Sequence, residues 1–178
     1  MSHYGFDQLA AELEHWVPRS QHQQDLIQKI LPAMQKLLSN ESLLHSDFVG
    51  AIQAGHHDGR VYTSPEHGFF VQVFVWPPGA KTGVHDHNTW GMMGVYQNVL
   101  RIHEYHVYPQ HDGTYELESK QEFDAGRGMI ASVSYPDDEI HSVANPSEHD
   151  TYSIHIYGAE LTQTHYYDFE SKRFCQSA

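Results

Sequence analysis

The sequence predicts a mainly β fold, an antiparallel jelly-roll barrel or sandwich that follows an N-terminal helical segment. From residue 69 onward, short runs of strand-forming residues alternate with turn residues, and no helical stretch lies between them. Before residue 40 the apolar residues instead recur with the period of an amphipathic helix. A length of 178 residues suits one domain, so we expect a single domain over 1–178, with helices in 1–48 packed on a barrel formed by 49–178.

The helical segment covers residues 7–39. Leu9, Leu13 and Trp16 share one stripe, and the apolar period resumes in 23-QQDLIQKILPAMQKLL-38. Pro18 separates the two helices. Pro32 is expected to kink or break the second, because proline removes a backbone donor and clashes with the preceding turn.

The predicted strands are short and end in segments rich in Gly, Pro, Asp and Asn. They are 69-FFVQVFVW-76, 99-VLRIHEYHVY-108, 128-GMIASVSY-135, 151-TYSIHIY-157 and 164-THYYDF-169. A further strand that leads into a turn is expected in 84-VHDHNTWGMMGVY-96.

The charge of the chain narrows the range of partners. Lys and Arg number 10 against 23 Asp and Glu, and the formal charge of −13 would repel phosphate backbones and anionic lipids. No apolar run approaches the roughly 20 residues that cross a bilayer, and the N-terminus lacks a signal-peptide pattern. We therefore expect a cytoplasmic protein that binds neither nucleic acid nor membranes. The single cysteine, Cys175, excludes an internal disulfide framework.

Histidine is unusually abundant, with 16 copies. Eight of them lie in helical or turn-like polar context, where a solvated side chain is expected: His3, His22, His45, His56, His57, His111, His149 and His165.

His85 and His87 differ from these, because residues i and i+2 of a strand project from the same face. Their imidazoles are expected to point into one space, with Asp86 pointing the other way. Such a pair is able to hold a metal.

Two later stretches add candidates. In 136-PDDEIHSVANP-146, His141 follows a turn and begins an alternating segment. In 151-TYSIHIYG-158, Ser153, His155 and Tyr157 share one strand face, which the pattern alone assigns either to solvent or to the lining of a barrel.

Taken together, these stretches resemble the two motifs of the cupin superfamily. The residues that match are Gly79, His85 and His87 in the first motif, and Pro136, His141 and Asn145 in the second, with Asp138 in its glycine position. The resemblance implies a double-stranded β-helix in which His85, His87 and His141 converge on one divalent metal.

One feature of the superfamily is missing. Most cupins have a glutamate ligand four or five residues after the second histidine, where this chain has Gly91 and Met92. Neutral imidazoles alone leave the charge of the metal uncompensated and a coordination position open, which favours an anionic ligand such as a thiolate.

The stretches HDHNTWG, IHSVANP and YSIHIYG resemble the thiol dioxygenases, the family of cysteine dioxygenase and 3-mercaptopropionate dioxygenase. The resemblance implies Fe(II) as cofactor, a small thiol and O2 as substrates, and a sulfinic acid as product. It also implies that the Tyr157 hydroxyl faces the substrate, oriented by His155, which bonds Ser153.

Two further expectations follow from this resemblance. No cysteine lies between Asn88 and Val99 to crosslink to the tyrosine, so Tyr157 is expected to be an unmodified phenol. Arg60 is the nearest match to the arginine that anchors the substrate carboxylate in cysteine dioxygenases, although a solvated turn residue fits its position as well.

Trp90, Met92 and Met93 are candidates for the wall of the pocket, and core packing explains the methionines equally well.

Two other functions fit the same residues. One is a three-histidine cupin dioxygenase that cleaves a chelating diol or diketone, and the other is a metal-dependent binding cupin without turnover. Three imidazoles also suit Zn, Ni and Cu, and the sequence leaves the thiol and the oligomeric state open.

Overall fold

The structure, a computed structural model, describes residues 4–136, 140–162 and 164–176, with side chains to residue 173. Asp138 and His3 lie outside the described residues. The helices of the described part come first: α1 Phe6–Trp16, α2 Gln23–Leu38 and α3 Ser46–Gln53, with a short 3-10 helix, Val17–Arg19, after α1.

The strands follow in two antiparallel sheets. They are β1 Arg60–Thr63, β2 Phe70–Trp76, β3 Val84–His85, β4 Gly91–Gln97, β5 Val99–Pro109, β6 Tyr115–Gly126, β7 Ile130–Val133, β8 His141–Ala144, β9 Thr151–Tyr157, β10 His165–Tyr167 and β11 Phe174–Gln176. One sheet has the order β1-β2-β9-β4-β7 and the other the order β11-β10-β3-β8-β5-β6. The predicted mainly β fold with N-terminal helices is confirmed.

The helices cover the outer face of the five-stranded sheet. Leu13 of α1 and Ile30 of α2 join Ile154 and Ile156 of β9 in one buried cluster. Gly94 of β4 permits the close approach of α2, because a Cβ atom there would lie 2.7 Å from a methyl group of Leu38. None of the described helices is long and apolar enough to span a bilayer.

Two details of the helical segment differ from expectation. Helix α2 continues past Pro32 and is not broken there. Pro32 lies on the exposed face, where water can take the hydrogen bond that the carbonyl of Gln28 loses. Helix α3 crosses residue 48, where the barrel was expected to begin, and the first strand starts only at Arg60.

Candidate metal centre and active-site cavity

Three buried imidazoles face one another between the two sheets. The ring centroids of His85, His87 and His141 form a triangle with all three sides equal to 4.8 Å. One nitrogen from each ring lies within 4.8 Å of the others, and no carboxylate of the described residues joins the group. Strand pairing brings the distant motifs together, since His85 of β3 is the direct partner of His141 of β8.

The hydrogen bonds of His85 fix its protonation. Its Nδ1 lies 3.0 Å from the carbonyl oxygen of Gly83, so Nδ1 carries the proton and donates. The lone pair of Nε2 then faces His87 Nε2 at 3.0 Å. Backbone contact on one nitrogen and a free lone pair on the other is the usual arrangement of a metal-binding histidine.

The other features of the trio also fit a metal. Burial lowers the pKa of His85 and of His87, so both rings are neutral near pH 7. His87 turns Nε2 toward the trio, and its buried Nδ1 has no hydrogen-bond partner among the described residues, so His87 lacks the second contact that His85 has. Three imidazole nitrogens that converge on one point suit a divalent transition metal.

Asp86 points away from the trio, as the alternation predicted, and binds strand β10. Its carboxylate accepts hydrogen bonds of 2.9 Å from the backbone N–H of His165, from the His165 ring and from the Tyr167 hydroxyl. The expectation of a solvated side chain is therefore wrong for His165, which is only 30% exposed and is held by Asp86. Tyr166, which lies between His165 and Tyr167 in the sequence, stacks on His85 with a separation of 5.8 Å between the ring centroids.

A chain of hydrogen bonds runs along the inner face of β9. Trp76 Nε1 donates to Ser153 Oγ at 2.8 Å. Ser153 Oγ lies 2.9 Å from His155 Nε2, and His155 Nδ1 lies 2.9 Å from the Tyr157 hydroxyl. The Tyr157 ring reaches the trio, with its centroid 5.1 Å from that of His87. The polar face of β9 therefore lines the barrel and does not face solvent.

The direction of this chain follows from its first member. An indole N–H only donates, so Ser153 Oγ accepts from Trp76. His155 Nε2 is the one other partner that the described residues offer, so the arrangement that uses the Ser153 proton has Ser153 donate to His155 Nε2. His155 then carries its proton on Nδ1 and donates to Tyr157. The proton of the phenol is left to point away from His155.

Burial determines the protonation of His155 and Tyr157. It lowers the pKa of His155 to about 3, with smaller contributions from His141 and His85. It raises the pKa of Tyr157 above its usual value. Near neutral pH the pair is a neutral imidazole and a protonated phenol.

The trio and Tyr157 open onto a cavity of about 240 Å³. This volume is smaller than the roughly 300–1,000 Å³ of pockets for drug-sized ligands, so the cavity suits a ligand of few atoms. Its other walls include Phe74, Trp76, Met92, Met93, Ile102, Glu104, Val133, Val143, Leu161 and Tyr166. Both methionines thus line the cavity, whereas Trp90 packs in the core, where its Nε1 would lie 2.2 Å from a Cβ atom at Gly158.

The model of the cysteine dioxygenase type I family matches residues 3–170. The chain belongs to this family.

Solved structures of cupin type are similar to it only distantly. Oxalate oxidase shares 15% identity over 55% of this chain with a TM-score of 0.41, and the chain covers 45% of that protein. A sugar phosphate isomerase of the cupin superfamily from Silicibacter pomeroyi shares 15% identity with a TM-score of 0.43, and the alignment covers 62% of this chain and 67% of the isomerase. A double-stranded β-helix protein from Klebsiella pneumoniae shares 17% identity with a TM-score of 0.38, over 59% of this chain and 77% of that one.

In this member of the cysteine dioxygenase type I family, Arg60 lies outside the cavity lining. Its guanidinium forms a two-bond ion pair with Glu160, one bond being 3.1 Å from Nη2 to Oε2. Arg60 Cζ also lies 4.0 Å from the centroid of the Phe70 ring. The ring centroids of Phe70 and Tyr157 are in turn 5.1 Å apart. One aromatic ring therefore stands between Arg60 and Tyr157. The role of Arg60 in binding a substrate carboxylate stays a prediction.

Trp76 and Glu104 also line this cavity, and the sequence patterns did not single them out. Trp76 was placed in a strand, but its bond to Ser153 depends on the pairing of β2 with β9. Glu104 lies in a segment rich in polar residues. Its place beside His141 depends on the pairing of β5 with β8. Alternation with the buried Leu100 and Ile102 was the available signal for an inward Glu104.

Proposed function

We propose that this protein is a non-haem Fe(II)-dependent thiol dioxygenase that converts a small thiol to its sulfinic acid with O2. The observation that carries the proposal is the contact between Tyr157 and the histidine trio, with ring centroids of Tyr157 and His87 5.1 Å apart. Membership of the cysteine dioxygenase type I family supports the same reaction class.

The overall reaction is RSH + O2 → RSO2H. Sulfur loses four electrons, dioxygen gains them, and both oxygen atoms finish on sulfur, so no external reductant is required. Iron held by His85, His87 and His141 would supply a binding site for the thiolate and the activation of dioxygen.

The side chains of Tyr157, His155 and Ser153 orient and protonate the reacting atoms. Tyr157 offers its hydroxyl proton to the reacting sulfur or oxygen atoms, because His155 donates to the phenol oxygen and leaves that proton free. Burial keeps the phenol protonated, since it raises the pKa of Tyr157. Ser153 holds the tautomer of His155.

Oxygen uptake tests the proposal. Metal-free protein is reconstituted anaerobically with Fe(II), mixed with cysteine, 3-mercaptopropionate or 2-aminoethanethiol, and exposed to oxygen. We expect at least one thiol to drive uptake far above the metal-free control. Uptake with chelating diols or diketones and none with thiols would assign the alternative carbon–carbon cleaving reaction. Tight ligand binding with no oxygen uptake would assign a binding protein.

Iron itself is part of the proposal, because three imidazoles also accept Zn, Ni or Cu. Reconstitution with Zn(II) is the matched control, since zinc has no redox chemistry and should abolish uptake. A cytoplasmic location likewise stays a prediction from the sequence, and a small thiol with O2 as the partners stays a prediction from the family.

A further inference from the structure

A carboxylate continues the row of histidines across the six-stranded sheet. His141 pairs with His85 on one side and with Glu104 of β5 on the other. Side chains directly opposite one another in antiparallel strands have Cβ atoms about 4.5–5.5 Å apart. Glu104 accordingly lines the cavity beside His141.

Glu104 brings a negative charge to this cavity. It is the one Asp, Glu, Lys or Arg among the described residues of the lining. Arg60 is the residue that was expected to bind a substrate carboxylate, and its guanidinium is paired with Glu160. A metal held by the trio would attract the thiolate, whereas the wall on the Glu104 side of His141 carries a negative charge that favours a cation there.

The contacts of Glu104 leave part of its carboxylate available. Oε2 accepts a 2.7 Å hydrogen bond from Gln121 and lies 3.6 Å from Lys120 Nζ, whereas Oε1 accepts no hydrogen bond from the described residues. The Lys120 ammonium lies too far from Oε2, at 3.6 Å, for a hydrogen bond, so it balances part of the Glu104 charge without covering Oε1.

We propose that Glu104 determines substrate specificity by binding the protonated amine of the thiol. The inference rests on the proposed function and names its substrate class: thiols that carry an ammonium group, in preference to thiols that carry only a carboxylate. The thiolate end belongs to the metal, so the opposite end of a small substrate lies against the cavity wall, where Glu104 is the charged group.

The test compares Glu104→Gln with Glu122→Gln, which removes an exposed carboxylate that lies outside the cavity lining. For each Fe(II)-loaded protein, kcat/KM is measured with 2-aminoethanethiol, cysteine and 3-mercaptopropionate. We expect the wild-type protein to prefer the two amines, and Glu104→Gln to reduce kcat/KM for 2-aminoethanethiol by about tenfold without loss for 3-mercaptopropionate. Glu122→Gln should match the wild type.

A second variant and a second readout guard against misfolding of Glu104→Gln. Lys120→Met removes the cation that competes for Glu104, so it should raise kcat/KM for 2-aminoethanethiol by about twofold or more. Dissociation constants of the same thiols for Zn(II)-loaded protein, measured by calorimetry, should show the same amine preference and the same loss in Glu104→Gln.

The outcomes separate this inference from the proposed function. Oxidation of thiols with a preference that Glu104→Gln leaves unchanged would overturn the role of Glu104 and leave the dioxygenase standing. If Fe(II) protein oxidises no thiol but the Zn(II) protein binds amines through Glu104, the reaction is wrong and the role of Glu104 in binding stands. Preference for 3-mercaptopropionate in both metal forms would contradict the inference directly.

Discussion

Trp76 Nε1 donates a 2.8 Å hydrogen bond to Ser153 Oγ, and this bond fills one of the two acceptor positions of the hydroxyl, which favours donation from Ser153 to His155. Without it, Ser153 has both positions open to accept from His155 Nε2, and the imidazole would then accept the proton of Tyr157. The phenol would no longer offer that proton to the substrate. Trp76 is therefore a positioning residue that acts through Ser153.

The role of Trp76 predicts a specific double-mutant result. We expect Trp76→Phe to lower kcat by about tenfold or more with little change in KM, because a general acid aimed correctly is worth about 10²–10⁴-fold. In a Ser153→Ala background the same change should have almost no further effect, since the two residues act in one chain. Steady-state kinetics of the four proteins measure this coupling. Trp16→Phe in α1 is the control, and fully additive losses would refute the coupling.

The burial of His155 predicts a dependence of stability on pH. Its pKa is about 3 when folded and about 6.5 when unfolded, so between these values the unfolded state binds a proton that the folded state does not. Stability should therefore fall as the pH decreases below about 6.5, by up to about 1.4 kcal/mol per pH unit from this residue.

Urea unfolding of metal-free protein at pH 7 and pH 5 measures this effect. His155→Gln should reduce the loss of unfolding free energy between the two pH values, while His149→Gln, at an exposed position, should not. An unchanged pH dependence in His155→Gln would show that His155 is already protonated in the folded protein.

Asp86 links the metal-binding segment to β10, and its removal should weaken both. Asp86→Asn leaves the metal ligands in place but cannot accept all three of the 2.9 Å bonds from His165 and Tyr167. We expect a loss of about 1–3 kcal/mol in unfolding free energy, as for other buried charged hydrogen bonds. Because Asp86 stands between His85 and His87, zinc affinity should also decrease.

Urea titration and competition with a zinc chelator test the two parts of this prediction. Tyr167→Phe removes only one of the three bonds and should show a smaller loss in both measurements. Unaltered zinc affinity in Asp86→Asn would mean that β10 plays no part in ordering the ligands.

The pairing of Arg60 with Glu160 predicts a small effect of Arg60→Gln. Since the guanidinium is already bound and Phe70 separates it from Tyr157, kcat/KM should change by less than about threefold for every thiol, as expected for a solvent-screened ion pair. Arg101→Gln, which breaks a similar pair with Asp124 outside the cavity lining, is the matched control. A loss above about tenfold confined to carboxylated thiols would instead establish Arg60 as the anchor implied by the family.

The strands of the site were the part of the fold most predictable from sequence. The predicted strand 151–157 is β9 itself, because strict alternation of Ser153, His155 and Tyr157 with apolar residues fixes both its type and its faces. The same alternation placed His85 and His87 on one side and Asp86 on the other. Convergence with His141 came from the resemblance, since periodicity carries no information on which strands pair.

The features that could not be predicted depend on contacts between distant parts of the chain or lack an apolar pattern. Strand β6 is an edge strand that pairs with β5 alone among the described strands. It is rich in exposed charged residues, so it shows no apolar alternation. Trp76 and Glu104 acquire their roles from cross-strand register, which a local pattern does not contain. The prediction of a solvated His165 was wrong for the same reason, because its partner Asp86 is 79 positions away in the sequence.

Labelled dioxygen traces both oxygen atoms of the proposed thiol dioxygenase reaction. Fe(II)-loaded protein is given 2-aminoethanethiol or cysteine under isotopically labelled dioxygen, and the product is identified by mass spectrometry. We expect a dioxygenase reaction, with one sulfinic acid per dioxygen consumed, both labelled atoms on sulfur, and loss of turnover in Tyr157→Phe. Recovery of disulfide with hydrogen peroxide, or of a sulfinic acid whose oxygen comes from water, would contradict it.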